Sequence, residues 1–232
     1  MLQPLPDPAT VILIDKPLTW TSFGVVKKLK YAGKFRKIGH AGTLDPLATG
    51  LLILCTGKKT KEIEQYQAQE KEYTGSLVFG YRTASVDLET EIEPVGTTDH
   101  LTAELVQDYF QRFTGEVTQV PPAHSAIKIN GQRAYKAARR GETVALKART
   151  VHVPTFELTS FSTAQAQVVA SFRIVCSKGT YIRSLVRDVG EAAGCGAYMQ
   201  ALRRTRIGSY SVIDAVTPEQ WIQTAGGHAG IQ

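Results

Sequence analysis

Residues 39–50 read Gly39-His40-Ala41-Gly42-Thr43-Leu44-Asp45-Pro46-Leu47-Ala48-Thr49-Gly50, an imidazole and a carboxylate in a loop punctuated by glycines. Glycine lets backbone approach a ligand closely, and Pro46 restricts the conformations open to Asp45. A lone carboxylate held in such a loop suits nucleophilic attack on an electrophilic carbon of a sugar or a base. That chemistry needs neither a metal nor a thiol. The same residues also suit a structural role, with Asp45 capping a helical turn, Pro46 in its first position and Gly50 ending it. His40 alone fits a hydrogen-bonded structural histidine as well as a catalytic one. Residue types and spacing leave both readings open.

Other chemistries lack their residues. No His-x-Glu accompanies a Cys-x-x-Cys, which disfavours zinc-dependent base deamination. A Gly-x-x-x-x-Gly-Lys-Ser/Thr loop is missing too, which disfavours a P-loop nucleotide enzyme. Cys55, Cys176 and Cys195 are odd in number and far apart, and read as reduced cytosolic thiols rather than a disulfide frame or a zinc site. The longest apolar runs, Val11–Ile14 and Leu51–Cys55, are strand-sized and far short of the ~18 residues of a membrane span. Met1–Pro8 carry no basic start, apolar block or cleavage-like site, so a cytoplasmic protein is expected.

The charge balance points to a polyanionic partner: 27 Lys and Arg against 21 Asp and Glu give a net charge of +6. Four clusters concentrate it. Lys27, Lys28, Lys30, Lys34, Arg36 and Lys37 lie just ahead of the Asp45 loop. The others are Lys58/Lys59/Lys61, Arg133/Lys136/Arg139/Arg140 and Arg203/Arg204/Arg206. A single charge run is usually a solvated face, whereas four in one chain favour nucleic acid.

The elements that must position the loop follow from periodicity. Val11–Ile14 predicts a buried strand stopped by Pro17, and Leu51–Cys55 another closed by Gly57. Thr21 or Ser22 caps a helix through about Tyr31, with Val25, Val26 and Leu29 on its buried face. Tyr73–Phe79 alternates as a strand. Thr102 caps a helix carrying Leu105, Val106, Tyr109, Phe110 and Phe113, which Gly115 ends. Ala126–Ile129 enters a tight turn at Asn130-Gly131, and Arg133–Arg140 is helical up to Gly141. Phe156–Leu158, Ala166–Val169 and Phe172–Cys176 predict antiparallel strands. Thr180 then caps a helix to about Ala193, with Ile182, Leu185, Val186 and Val189 as its apolar stripe. With no repeats and no internal linker, the pattern predicts one α+β domain on an antiparallel or mixed sheet.

Taken in order, Ile14-Asp15-Lys16-Pro17, Trp20-Thr21-Ser22-Phe23 and Gly39–Gly50 resemble the opening of the TruB-type tRNA pseudouridine-55 synthases. Further blocks follow in that family's order: Lys71-Glu72-Tyr73, Pro121-Pro122 with Ser125-Ala126-Ile127-Lys128, Gly131 with Arg133-Ala134-Tyr135, Gly179–Leu185, and Leu202–Thr205. The resemblance spans about Val11 to Val216. It implies a pseudouridine-synthase fold, with a mixed, mainly antiparallel central sheet, flanking helices and a loop-lined cleft. It also implies cofactor-free isomerisation of one uridine in the T-arm of tRNA, without a metal.

Site roles come from the resemblance residue by residue. Asp45 matches the nucleophilic aspartate, which adds to C6 of the uracil or to C1′ of the ribose. His40 matches a histidine that helps displace RNA structure as the target nucleotide flips out. Tyr73 matches the aromatic that stacks on the extruded base, and Leu202 an apolar residue packing on it. Tyr181 matches a pocket tyrosine that contacts the base and assists proton removal from C5. Arg183 matches an arginine paired with the nucleophile, a contact that would keep Asp45 ionised. Arg187, one turn on, is expected to pair with Glu191. Asp87 aligns with a carboxylate that orients the arginine. Ala123-His124 departs from the family's usual apolar–aromatic pair, which puts the contacts of that loop in doubt.

The expected organisation is an N-terminal extension over 1–10, a catalytic domain over 11–216 and a short tail over 217–232. Many bacterial relatives continue into a PUA-type RNA-binding module, and this chain stops about where that module would begin. A monomer without an obligate protein partner is expected, with tRNA affinity resting on the basic clusters. Competing expectations are a non-catalytic tRNA-binding or tRNA-folding module, and a related synthase acting on another RNA.

Overall fold

A computed structural model describes residues 8–122, 128–129, 132–133, 137, 140, 146–164 and 167–227. The chain divides into two compact units, one of Met1–Tyr73 with Leu202–Gln232 and one of Thr74–Ala201. Strands β4 (Lys71–Phe79) and β13 (Ala197–Ile207) each have one end in either unit.

In the first unit the sheet order is β1-β3-β13-β4, where β1 is Val11–Lys16 and β3 is Ala48–Thr56. The short strand β2 (Ile38–His40) pairs with β3, and β14 (Tyr210–Ser211) with β13. β1 runs antiparallel to β3, from Val11↔Cys55 to Lys16↔Gly50, whereas β13 runs parallel to it, from Leu202↔Ala48 to Arg204↔Gly50. β3 is buried on both faces, which explains its unbroken apolar sequence. Leu52 and Leu54 pack with Ile12, Ile14, Val25, Val26, Leu29 and Phe35, while Leu51, Ile53 and Cys55 pack with Ala41, Tyr66 and Ile207. Helix α1 (Ser22–Ala32) begins as its sequence predicts, with the Thr21 hydroxyl accepting from the Gly24 N–H at 2.9 Å. A 3-10 turn (Gly57–Glu62) and α2 (Ile63–Ala68) follow β3.

The second unit orders its strands β13-β4-β12-β11, with β11 (Thr155–Ser162) antiparallel to β12 (Val168–Cys176). Two-stranded ladders accompany it. They are β5 (Tyr81–Arg82) with β6 (Glu93–Pro94), β7 (Gly115–Gln119) with β10 (Arg149–Val153), and β8 (Lys128–Ile129) with β9 (Gln132–Arg133). Helix α3 (Ala103–Arg112) packs on β11, its Phe110 ring stacked on Phe156 at 4.0 Å between centroids. Helix α4 (Ile182–Ala192) buries Ile182, Leu185, Val186 and Val189. The last helix, α5 (Pro218–Gly227), belongs to the first unit and packs on α1. The expected α+β class with a mixed, mainly antiparallel sheet is what forms.

Several expectations change. Gly115 does not end α3, which stops at Arg112; with φ +77° it instead opens β7. Phe172 lies not in a separate strand but in one continuous β12 from Val168. Thr180 does not cap α4, because its hydroxyl donates to the Ser177 carbonyl at 2.9 Å within a turn. The cap residue is Tyr181, whose own N–H donates to Gln119 Oε1 at 2.7 Å. Arg187 does reach Glu191, at 3.8 Å, as expected, but pairs more closely with Asp188, at 2.6 Å. The expected helix over 133–140 lies largely outside the described residues, as does Ala123-His124.

Candidate active site

The backbone carrying Asp45 is held by a lysine that alternation places indoors. In β1 the residues Ile12, Ile14 and Lys16 share one face, so the strand that buries two isoleucines also buries an ammonium group. Lys16 is fully inaccessible to solvent. Its Nζ donates to the carbonyls of Pro17 at 3.0 Å, Trp20 at 2.6 Å and Pro46 at 3.3 Å. Burial pulls the Lys16 pKa down from 10.5 to about 8; the negative charge of Asp45 works against that fall, and Arg204 adds to it.

Asp45 itself is half-buried and stands at the head of a turn, in which the Ala48 N–H donates to the Asp45 carbonyl at 3.1 Å. This replaces the helix-cap reading. The chain leaves the turn directly into β3, which begins at Ala48, three residues earlier than the apolar run suggests. Gly50 is therefore a strand residue, with φ +102° and with a Cβ position only 2.2 Å from the Arg204 carbonyl oxygen. Any side chain there would break the parallel rung between β3 and β13.

Two further side chains fix the loop from either end. Ser22, at the start of α1, donates to the Leu44 carbonyl at 3.1 Å and accepts from the Leu44 N–H at 2.8 Å. Arg204, 1% exposed, donates to the carbonyls of Leu51 at 2.8 Å and Gly42 at 3.1 Å. His40 ends β2 nearby. Desolvation and the Arg204 charge hold its pKa below the usual 6.5, with the Gly42 backbone opposing weakly, so the ring is neutral at pH 7. Its Nδ1 is buried without a hydrogen bond of ordinary geometry. Leu202 pairs with Ala48 across the parallel rung, beside the last residue of the Asp45 turn. Tyr73 is buried on β4, two residues from a buried Lys71. Asp45, His40, Tyr73 and Leu202 thus all belong to the first unit.

Asp87, Tyr181 and Arg183 belong to the second. Arg183 and Asp87 have side chains each 4% exposed, and Arg183 Nε lies 3.7 Å from Asp87 Oδ2. Arg183 Nη1 also donates to the Ser85 carbonyl at 2.9 Å. Asp87 is held in turn by its Oδ1, which accepts from the Glu89 N–H at 3.0 Å. Its carbonyl accepts from Thr83 Oγ1 at 2.7 Å and Ser85 Oγ at 3.1 Å. Those bonds support Val86 in a left-handed conformation, φ +63°, which a β-branched residue rarely adopts.

Tyr181 is gripped from one rung of the β7–β10 ladder, where Gln119 and Arg149 face each other. Gln119 clamps its backbone, accepting from the N–H at 2.7 Å and donating to the carbonyl at 3.2 Å. The Arg149 guanidinium lies over the Tyr181 ring, 4.7 Å from its centroid, and donates to the Gly179 carbonyl. Sequence reasoning passes over Lys16, Ser22 and Arg204 as positioning residues, and over Gln119 and Arg149 entirely. The alternation of β1 signals Lys16; nothing local signals the other four. Among the described residues no group of three or more His, Cys, Asp or Glu is placed to hold a metal ion, and no helix is long and apolar enough to cross a membrane.

Comparison with known proteins is consistent throughout. A family model described as "TruB family pseudouridylate synthase (N terminal domain)" matches residues 28–182, and one described as "tRNA pseudouridylate synthase B C-terminal domain" matches residues 183–225. The chain is 48% identical over 217 residues to a tRNA pseudouridine synthase B of Phocaeicola vulgatus, covering 91% of each chain. It is 49% identical to that of Flavobacterium johnsoniae, covering 89% of this chain and 91% of that one. Among solved structures, a Cbf5-Nop10-Gar1 complex superposes with a TM-score of 0.71 at 29% identity over 96% of this chain. An archaeal box H/ACA sRNP Nop10-Cbf5 complex gives 0.69 at 25% identity over 95%. This chain spans 56% of the length of the matched chain in each of those complexes.

Proposed function

Since this chain belongs to the TruB family of pseudouridylate synthases, we propose that it converts uridine to pseudouridine in tRNA, at position 55 of the T-arm, with the Asp45 carboxylate as nucleophile. The observation that carries the residue assignment is the anchoring of the Asp45 turn. Lys16, Ser22 and Arg204 hold its backbone from three sides, while the carboxylate stays half-buried rather than sealed in. Preorganisation of this kind fixes a nucleophile where a flipped nucleotide would meet it.

The reaction is an isomerisation, so no oxidant or reductant enters. The N1–C1′ bond breaks, a C5–C1′ bond forms, the proton at C5 leaves and N1 gains one. Asp45 adds to the base or the sugar and is released at the end. Tyr73 stacks on the extruded base, Leu202 packs against it beside Ala48, and neutral His40 fills space opened in the RNA. Arg183 is oriented by Asp87. Tyr181 faces C5 and assists proton removal. The enzyme acts as a cytoplasmic monomer, with its catalytic domain over 11–216.

Incubating unmodified bulk tRNA with the protein and mapping pseudouridine tests this directly. A single new pseudouridine in the T-arm is the expected result. Modification elsewhere would overturn the substrate, and no modification would leave a tRNA-binding protein without this chemistry. The grip on Tyr181 adds a narrower prediction. Arg149→Ala removes a cation–π contact of about 1–2 kcal/mol, so kcat should fall by roughly five- to thirty-fold with KM little changed. An equal change in KM would place Arg149 in RNA binding instead.

A further inference from the structure

The four basic clusters of the sequence fare differently in the folded protein. Arg203 is taken by Asp15, with contacts of 2.6 and 2.9 Å, and Arg206 by Glu70 at 3.1 Å and Glu72 at 3.9 Å. Arg204 is buried on carbonyls, and Lys59 holds Glu62 at 2.8 Å. The side chains of Arg133, Lys136 and Arg139 lie outside the described residues. On α1 the situation is the reverse. Lys28 pairs with Glu219 at 2.9 Å, but Lys27, Lys30 and Lys34 are exposed and form no ion pair among the described residues. Between Asp15 and Asp45 the chain has seven Lys and Arg and not one carboxylate.

Two large aromatics share this cationic face. Phe23 is 71% exposed and Tyr31 73% exposed. Phe23, Lys27, Lys30 and Tyr31 recur at i, i+4, i+7 and i+8, one side of a helix, away from the buried Ser22, Val25, Val26 and Leu29, and Lys34 follows just past the helix end. Rings left in water beside unpaired ammonium groups are the combination that binds nucleic-acid strands: phosphates meet the cations and bases stack on the rings. The helical stripe spans about 12 Å from Phe23 to Tyr31, with Lys34 extending it past the helix end, room for each lysine to meet its own phosphate. It also starts at the catalytic loop, because Ser22, next to Phe23, carries both hydrogen bonds to Leu44, next to Asp45.

We propose that the outer face of α1 and the residue just past its end form a docking surface for the RNA strand flanking the reacting uridine, with Lys27, Lys30 and Lys34 on phosphates and Phe23 and Tyr31 on bases or riboses. The inference rests on the RNA-substrate reading above and adds a named surface to it. An acidic protein would also be drawn to the lysines, but flat rings spaced along a basic helix favour a strand with stacking faces.

The test compares wild type with the Lys27→Gln/Lys30→Gln/Lys34→Gln triple variant and the Phe23→Ala/Tyr31→Ala double variant. Affinity for unmodified tRNA is measured over a range of KCl concentrations, together with the single-turnover rate at saturating enzyme. Three lost phosphate contacts should weaken binding by roughly tenfold or more at low salt and make the log–log salt slope shallower by about 2. The double variant should bind more weakly at an unchanged slope, and both should keep the wild-type rate at saturation. An unchanged slope in the triple variant overturns the proposal, as does an equal loss of affinity for polyglutamate. The outcome is separable from the chemistry: a wild type that makes no pseudouridine refutes the isomerase reading, while the slope difference still reports contact of α1 with RNA.

Discussion

Asp45→Asn is expected to abolish isomerisation while leaving tRNA affinity within a few-fold of wild type. The amide matches the carboxylate in volume but is neither charged nor nucleophilic. The contacts that shape the loop are made by backbone atoms: the Ala48 N–H to the Asp45 carbonyl, Ser22 to both polar groups of Leu44, and Lys16 to the Pro46 carbonyl. These bonds reach backbone atoms of the loop, so the turn should survive and the loss should be chemical. Removing an essential covalent nucleophile typically costs about four orders of magnitude or more. Loss of one negative charge beside a polyanion does not weaken binding, and can strengthen it. Pseudouridine mapping beside a gel-shift titration measures both sides. Turnover within tenfold of wild type would refute the nucleophile assignment; loss of binding in parallel would make Asp45 a structural residue.

Lys16→Met should lower the melting temperature and change how stability responds to alkali. Met fills the space of the lysine stem but gives nothing to the Pro17 and Trp20 carbonyls, and it removes the cation near Asp45. Relief of the lysine's desolvation offsets part of that loss. A net cost of about 2 kcal/mol, or roughly 4–8 °C in Tm, is expected. The pH signature is separate. With the folded pKa near 8 and an ordinary value of 10.5, the unfolded chain holds a proton on this group over an interval in which the folded chain does not. The desolvation cost of the charged Lys16 is therefore felt in full below about pH 8, and the pH-linked part of its contribution is complete above about pH 10.5 and lost as the pH falls to about 8. In urea unfolding at pH 7.5 and 9.5, wild type should gain on Lys16→Met at the higher pH. Parallel behaviour at the two values would mean that Lys16 is not held as the structure shows.

Much of this could be read in advance, for identifiable reasons. The start of α1 announces itself because Thr21 and Gly24 are three residues apart, and β3 because a strand buried on both faces must be apolar throughout. The candidate site residues could be named only from ordered motifs. Residue chemistry around Asp45 fits a cap as well as a nucleophile, and what decides against the cap is that β3 starts at Ala48, a fact set by its pairing with Leu202. Arg204 reads as one of three solvated arginines, yet it is buried on the Leu51 and Gly42 carbonyls, while Arg203 and Arg206 find carboxylates. Thr180 looks like a helix cap because its true competitor, Gln119, lies 62 residues away from the N–H it satisfies at Tyr181. Contacts of that range leave no mark in a local window.

The lysine under the Pro46 carbonyl bears on the end of the reaction as much as on its start. A carboxylate that forms a covalent adduct must later depart, and a fixed ammonium nearby favours the departing anion over the ester or adduct it leaves. The same cation tempers how hard the carboxylate attacks. In the proposed reaction Lys16 would thus trade some speed of bond formation for ease of bond release, letting Asp45 work as a leaving group.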